Sequence, residues 1–139
     1  LGYRHTVEAE IIHGKALGRT LGYPTANMQL PEPAALGHGV YAVRFRRQDG
    51  TLHDGVASFG RRPTVDAEGA ELLETFVFDF TGDLYREICQ VSFFGYLRGE
   101  EKFESLAALL EEMRTDEAEA RALLASVRPQ SELDLALCF

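Results

Sequence analysis

The first two thirds of the chain consist of short segments in which apolar and polar residues alternate, with turn signals between them. The clearest segment places Tyr41, Val43 and Phe45 on one face of an extended strand. Asp49-Gly50 follows it, and Asp-Gly between two strand-like segments predicts a hairpin. The other segments cover residues 7–12, 52–59, 72–80 and 88–94. Because closure removes exposed strand edges, five or six short strands predict a mainly β fold, a closed or nearly closed barrel.

After Arg98 the spacing of apolar residues changes from strand-like to helical. One apolar stripe consists of Phe103, Leu106, Leu109, Leu110 and Met113. Asp116 and Glu119 have the spacing of a capping box, so we predict that a second, short helix begins at Thr115 or Asp116. Residues 1–139 then form one domain, whose helical part covers about residues 103–127 and packs on the outside of the barrel or plugs one end.

The segment that follows the first predicted strand is rich in glycine and positively charged. Gly14, Gly18 and Gly22 allow the backbone to approach a ligand and to present N–H groups to an anion. Lys15 and Arg19 add positive charge to the same segment. The spacing is not that of a Walker A loop, and by itself it fits a structural turn cluster as well as a phosphate-binding loop.

Two side chains with oxygen atoms end this segment. Pro24 stiffens the chain before Thr25, whose hydroxyl is a type of magnesium ligand. Asn27 lies two residues further on, so in an extended chain its carbonyl oxygen points to the same side. Magnesium in phosphoryl-transfer sites takes few protein ligands and several phosphate oxygens, so this pair predicts a magnesium site.

Glu74 is the candidate general base. In the segment 72–80 it alternates with Phe76, Phe78 and Phe80, so its carboxylate shares a strand face with aromatic rings. A carboxylate on such a face points toward the core or a barrel mouth, where partial desolvation favours a proton acceptor. The alternative is a glutamate that bends out to water or pairs with an arginine, and parity alone does not exclude it.

Charge and composition limit the partners. With 22 acidic and 14 basic residues the formal net charge is −8. A nucleic-acid site needs a concentrated basic stripe, and the small clusters at 44–47 and 61–62 fit a solvated strand edge and a loop better. No apolar segment is long enough to cross a bilayer, so we expect no membrane partner.

Cys89 and Cys138 follow no metal or disulfide pattern, which favours a reducing, cytoplasmic location. Because the chain begins at Leu1, we expect an excised piece of a longer protein.

The chain resembles the riboflavin kinase family from about Val7 to Arg121. The most specific feature is the tetrapeptide Pro-Thr-Ala-Asn at 24–27 behind Gly-Arg-x-Leu-Gly. The matching blocks, in order, are His13-Gly14, Gly18-Arg19, Gly22 to Asn27, Gly39 to Tyr41, Gly55 to Gly60, Arg62 to Thr64, Leu73-Glu74, Asp79-Phe80, Asp83 to Tyr85, Tyr96 to Arg98, and Lys102-Phe103.

The resemblance implies a six-stranded antiparallel Greek-key barrel with C-terminal α-helices, and transfer of the ATP γ-phosphate to the 5′-hydroxyl of riboflavin, which gives FMN. By position, Glu74 matches the catalytic carboxylate, and Thr25 and Asn27 match the residues that hold Mg²⁺ and the nucleotide phosphates. The other nucleotide-binding positions are Gly14, Lys15, Gly18, Arg19, Gly22, Tyr23 and Pro24. The flavin-binding positions are Tyr96, Arg98 and Phe103.

Two further expectations come with the resemblance. The family has glycine where this chain has Arg86, and arginine tolerates a left-handed turn poorly, so we expect this turn to differ. In many bacteria the kinase is joined to an N-terminal FMN adenylyltransferase domain, which would be a covalently linked partner here. The alternative to a kinase is a non-catalytic flavin- or nucleotide-binding module on the same barrel, since fold alone does not fix function.

Overall fold

The structure of the chain is a computed structural model. It describes residues 5–12, 25–29, 37–61, 71–80, 82, 84–99 and 104–127. Within these ranges the strands are β1 (Thr6–Glu10), β2 (Thr25–Gln29), β3 (Gly39–Arg46), β4 (Leu52–Arg61), β5 (Glu71–Val77) and β6 (Ile88–Arg98). The helix is α1 (Leu106–Ser126).

The six strands form one antiparallel sheet in the order β1-β6-β3-β4-β5-β2. Strands β3, β4 and β5 are consecutive neighbours, and β6 returns to pair with β3, which is the connectivity of a Greek key. An isolated bridge between Ile12 and Asn27 joins the two outer strands, and the Ile12 amide donates to the Asn27 carbonyl at 2.8 Å. The sheet is therefore a nearly closed barrel, and the predicted fold class is confirmed.

The barrel interior is apolar. Side chains alternate along each strand, and the inward set on β3 is the predicted face of Tyr41, Val43 and Phe45. The fully buried members of this core include Met28, Ala57, Phe59, Leu73, Val77, Cys89 and Val91. The opposite face of the sheet carries a second apolar cluster with Val40, Ala42, Val56 and Phe78, which packs against Ala120 and Leu124 of α1. The helix thus covers the outside of the barrel and does not plug an end.

The prediction of a helix break at Thr115 or Asp116 is wrong. One continuous helix runs from Leu106 to Ser126. Its N-cap is Ser105, whose hydroxyl accepts a hydrogen bond from the Ala108 amide at 3.1 Å. Thr115 instead donates to the Glu111 carbonyl one turn earlier. Asp116 points to the barrel, so tertiary contacts override the local capping pattern.

The turn before β6 contains Arg86, the position at which the resemblance predicted glycine. Arg86 itself adopts φ 74°, the left-handed conformation that favours glycine. Its amide donates to the Ile11 carbonyl at 3.0 Å, and its guanidinium lies over the Tyr85 ring. The backbone therefore accepts arginine in a left-handed turn, at a strain cost of about 1–2 kcal/mol.

Candidate active site

The pairing of β2 with β5 brings Asn27 and Glu74 side by side. Asn27 lies directly opposite Glu74, and Glu74 lies directly opposite Ser58 of β4. Directly opposed residues in antiparallel strands share a face, with Cβ atoms about 4.5–5.5 Å apart. The three polar side chains therefore form a row across three strands, on the outer face of the barrel.

Thr25 belongs to the same face, because it lies two residues before Asn27 on β2. Its cross-strand neighbour is Phe76, which is half-buried and follows Glu74 by two residues on β5. Asn27 is only 6% exposed, whereas Thr25 and Glu74 are half-buried. The candidate base and both candidate magnesium ligands thus converge on one partly desolvated patch.

The direction predicted for this patch needs correction. The interior face of β5 carries Leu73, Thr75 and Val77, so Glu74 and Phe76 point outward, not to the barrel core. Phe78 shares the outer face and is buried under α1.

Phe80 leaves this face altogether, because β5 ends at Val77 and Asp79 adopts φ 54°. Its ring instead packs against the interior core. The four residues 74, 76, 78 and 80 therefore do not share one face as the strict alternation predicted.

The glycine-rich segment lies outside the described residues. This applies to the predicted phosphate-binding residues Gly14, Lys15, Gly18, Arg19, Gly22, Tyr23 and Pro24, and also to Phe103. Its two flanks are described. Ile12 precedes the segment and Thr25 follows it, and the hydrogen bond from Ile12 to Asn27 ties both flanks to the patch. The segment therefore begins and ends beside Thr25 and Asn27.

Arg98 lies at the far end of the same cross-sheet row. Ser58 is opposite Val40 on β3, and Val40 is opposite Arg98 on β6. The Arg98 guanidinium donates from Nε to Oδ1 of Asp116 at 3.0 Å and from Nη2 to Oδ2 at 2.8 Å. Three inter-strand steps separate Arg98 from Glu74, about 14 Å along the sheet.

Tyr96 does not face the same way as Arg98. The β3–β6 register shifts between Val40 and Tyr41, so Tyr96 lies opposite Tyr41 and its ring packs edge-on against that interior residue. Gly39 permits this arrangement, since a Cβ there would lie 2.5 Å from the Tyr96 ring. Burial, and secondarily Tyr96, raises the pKa of Tyr41, whose hydroxyl donates to the Gly37 carbonyl at 2.6 Å. Tyr96 itself is 58% exposed at this mouth of the barrel.

Two residues of this arrangement escaped the sequence analysis. The sequence carries no signal for Ser58, because only the strand register shows that it neighbours Glu74. The capping-box spacing points to a helix cap at Asp116, although Asp116 continues an apolar stripe with Met113, Ala120 and Leu124 at helical spacing. A single carboxylate in such a stripe was the signal that could have identified it as a buried ion-pair partner.

Two findings concern partners. Among the described residues, no group of three or more His, Cys, Asp or Glu side chains could hold a metal ion. In the same part of the chain, α1 is too polar to serve as a membrane-spanning helix.

Comparison with known proteins agrees with the resemblance. The model of the Flavokinase family, described as riboflavin kinase, matches residues 1–124. Three curated relatives named bifunctional riboflavin kinase/FMN adenylyltransferase are 38%, 36% and 43% identical. The relative from Pseudomonas fluorescens is 43% identical over 125 residues, which are 90% of this chain and 40% of the relative. The chain spans about 40% of the length of these relatives.

Solved structures show the same fold. A macrolide-efflux protein from Streptococcus pneumoniae aligns with a TM-score of 0.75 and 32% identity, covering 85% of this chain and 38% of that one. The riboflavin kinase from Trypanosoma brucei aligns with a TM-score of 0.64 and 21% identity, covering 90% of this chain and 82% of that one. At 21% identity the second match supports the barrel and carries nothing about individual residues.

Proposed function

The chain belongs to the riboflavin kinase family, and from that premise we propose that it transfers the γ-phosphate of ATP to the 5′-hydroxyl of riboflavin, releasing FMN and ADP. The observation that carries the proposal is the register that places Glu74 directly opposite Asn27, with Thr25 on the same face. A carboxylate beside two neutral oxygen ligands is what phosphoryl transfer to a hydroxyl requires.

Glu74 acts on the acceptor in this proposal. Its carboxylate accepts a hydrogen bond from the 5′-hydroxyl, orients the oxygen, and takes the proton as the oxygen attacks the γ-phosphorus. The new O–P bond forms while the bond from the γ-phosphorus to the bridging oxygen breaks, and ADP leaves with that electron pair. The half-buried setting of Glu74 on a strand supports the role, because a rigid element fixes the carboxylate against the hydroxyl.

Thr25 and Asn27 would hold Mg²⁺ together with the phosphates. The fit rests on the shared face of the two side chains, on the oxygen atoms that both carry, and on the burial of Asn27. Bound Mg²⁺ would neutralise charge on the phosphate oxygens. The segment 13–24 enters and leaves beside these residues, so we assign the nucleotide phosphates to its glycines, Lys15 and Arg19.

The flavin then extends from Glu74 toward the Arg98 end of the row, and it passes beside Val40, which is buried in the cluster that packs against α1. The ribityl chain joins the 5′-oxygen to the ring system through six single bonds, which extend to roughly 7 Å. The ring system continues beyond that point, so a separation of about 14 Å from Glu74 places Arg98 within reach of riboflavin. We assign Arg98 and Phe103 to the flavin side, and Tyr96 more peripherally because it faces the barrel mouth.

The relatives combine two activities in their names, and we propose that this chain supplies the kinase activity of such a pair. A linked FMN adenylyltransferase domain would then consume the FMN. Cys89 is a buried free thiol, which agrees with a reducing, cytoplasmic location.

Glu74→Gln tests the proposal, because it keeps the shape of the side chain and removes the proton acceptor. We expect riboflavin, ATP and Mg²⁺ to give FMN and no FAD with the parent chain, and the turnover number of Glu74→Gln to be lower by roughly 10²-fold or more. Products are separated by liquid chromatography, and flavin binding is followed by fluorescence. Glu8→Gln, the same change at an exposed position of β1, is the matched control and should keep the parent rate.

The outcomes separate the alternatives. Glu74→Gln with parental turnover would show that Glu74 is not the base. A parent chain that binds riboflavin and forms no FMN would favour the non-catalytic binding module. Appreciable FAD would contradict the assignment of a kinase activity alone.

A further inference from the structure

The contact between α1 and the end of β6 is a buried, two-pronged ion pair. Asp116 has 4% of its side chain exposed and Arg98 has 20%. Both carboxylate oxygens of Asp116 accept from the Arg98 guanidinium, at 2.8 and 3.0 Å. Paired contacts of this kind fix the plane and the direction of the guanidinium, which a single contact does not.

A carboxylate at position 116 of the helix destabilises the folded protein unless it pairs with Arg98. It lies in the stripe that packs α1 on the barrel, between Met113 and Ala120. Burial of an unpaired carboxylate there would be strongly unfavourable, so removal of Arg98 would leave the Asp116 charge uncompensated. Glu112 adds a second carboxylate oxygen 3.7 Å from Arg98 Nε, one turn before Asp116. The helix therefore supplies acidic groups specifically to this arginine.

The same guanidinium also holds the chain where β6 ends. Arg98 Nη1 donates to the Gly99 carbonyl at 3.1 Å, and Gly99 is the last described residue before the connection to α1. Arg98 ends the cross-sheet row that begins at Asn27 and Glu74. The helix thus controls the geometry of the far end of the candidate site.

We propose that Asp116 is a positioning residue: by fixing the Arg98 guanidinium at the end of this row, it sets the affinity for riboflavin without contacting riboflavin itself. The inference rests on the proposed function, because it takes the Arg98 end of the row as the flavin side. It goes beyond that function in assigning flavin affinity to a carboxylate on the outer helix.

The test is Asp116→Asn, which keeps the size and removes the charge. We expect the riboflavin KM to rise about tenfold, with kcat and the ATP KM within twofold of the parent. The Kd of riboflavin, measured by flavin fluorescence without ATP, should rise by the same factor. Glu117→Gln is the matched control, because it removes the neighbouring carboxylate from an ion pair with Arg121 away from the row, and it should change none of these values by more than twofold.

Arg98→Lys provides the second variant should Asp116→Asn fail to fold, because it keeps the charge and loses the two-pronged geometry. It should also raise the riboflavin Kd about tenfold, and the double variant should bind no more weakly than the weaker single variant. A lower melting temperature with an unchanged riboflavin Kd would show a purely structural pair and overturn the inference. Equal changes in both KM values and in kcat would also overturn it. These measurements test a different claim from the Glu74→Gln assay. If the parent chain forms no FMN, the proposed kinase activity is refuted. If the Asp116 and Arg98 variants keep the parent riboflavin Kd, only the positioning role of Asp116 is refuted.

Discussion

Replacement of Thr75 by valine should stabilise the protein. Thr75 is fully buried on the interior face of β5, opposite Ala26 on one side and Ala57 on the other. Its hydroxyl oxygen has no hydrogen-bond partner among the described residues. A buried hydroxyl without a partner costs about 1–3 kcal/mol relative to its solvated state, and valine removes that cost at nearly equal volume. Both residues are β-branched, so the strand propensity stays the same.

The expected gain is therefore about 1–3 kcal/mol in the free energy of unfolding. For a chain of 139 residues this corresponds to an increase in Tm of roughly 3–10 °C. Urea unfolding followed by circular dichroism should give a higher midpoint with an unchanged slope. Thr75→Ser is the control: it keeps the hydroxyl, removes a buried methyl group and should cost about 1 kcal/mol. If Thr75→Val instead lowers the stability by 1 kcal/mol or more, the hydroxyl has a partner in solution and the reasoning is wrong.

Two further predictions concern the metal and pH. Thr25→Val should raise the Mg²⁺ concentration for half-maximal turnover by roughly tenfold or more and leave flavin binding unchanged. Thr75→Val, on the opposite sheet face, is the control and should keep the parent Mg²⁺ dependence. Equal Mg²⁺ dependence in the two variants would contradict the Thr25 assignment. The hydrogen bond from Arg47 is the main reason that the pKa of Glu87 lies below its ordinary 4.5. A carboxyl pKa lowered by folding stabilises the protein above the unfolded value and loses that contribution as the pH falls. Glu87→Gln should therefore be less stable than the parent at pH 7, and the difference in unfolding free energy between the two proteins should shrink below about pH 4.5. A difference that stays constant down to pH 3 would refute the ion pair as its cause.

Five of the six strands were predictable because each has its own local pattern, whereas β2 was not predicted as a strand. Alternation identified the interior face of Tyr41, Val43 and Phe45, and Asp49-Gly50 identified the turn that follows. Local pattern also predicted that Thr25 and Asn27 would share a side. The local pattern could not show whether a strand face lines the barrel interior or lies on its outside. Alternation with a period of two is the same for a face that lines a barrel and for one that a helix covers.

The errors at the end of β5 and within α1 have a common physical origin. β5 ends at Val77 and Asp79 enters a left-handed conformation, so the strand alternation stops before Phe80. Asp116 has the sequence context of a helix cap, yet its pairing with Arg98 outweighs that local preference. Arg121 contacts Asp79 and Arg98 contacts Asp116 across long separations in the sequence, and no local window contains these contacts.

Adjacent residues of β5 offer a direct test of how the barrel separates stability from chemistry. Glu74 and Thr75 are neighbours in the chain, but alternation directs the first to the outer patch and the second to the sealed interior. If this assignment of faces is right, Thr75→Val changes the unfolding free energy and leaves kcat unchanged, while Glu74→Gln lowers kcat and changes stability little. The double variant should show both effects at full size, because side chains on opposite faces share no partner. A Thr75→Val variant with strongly reduced kcat would mean that the interior hydroxyl supports the position of Glu74 through the backbone, and the two faces could then no longer be treated as independent.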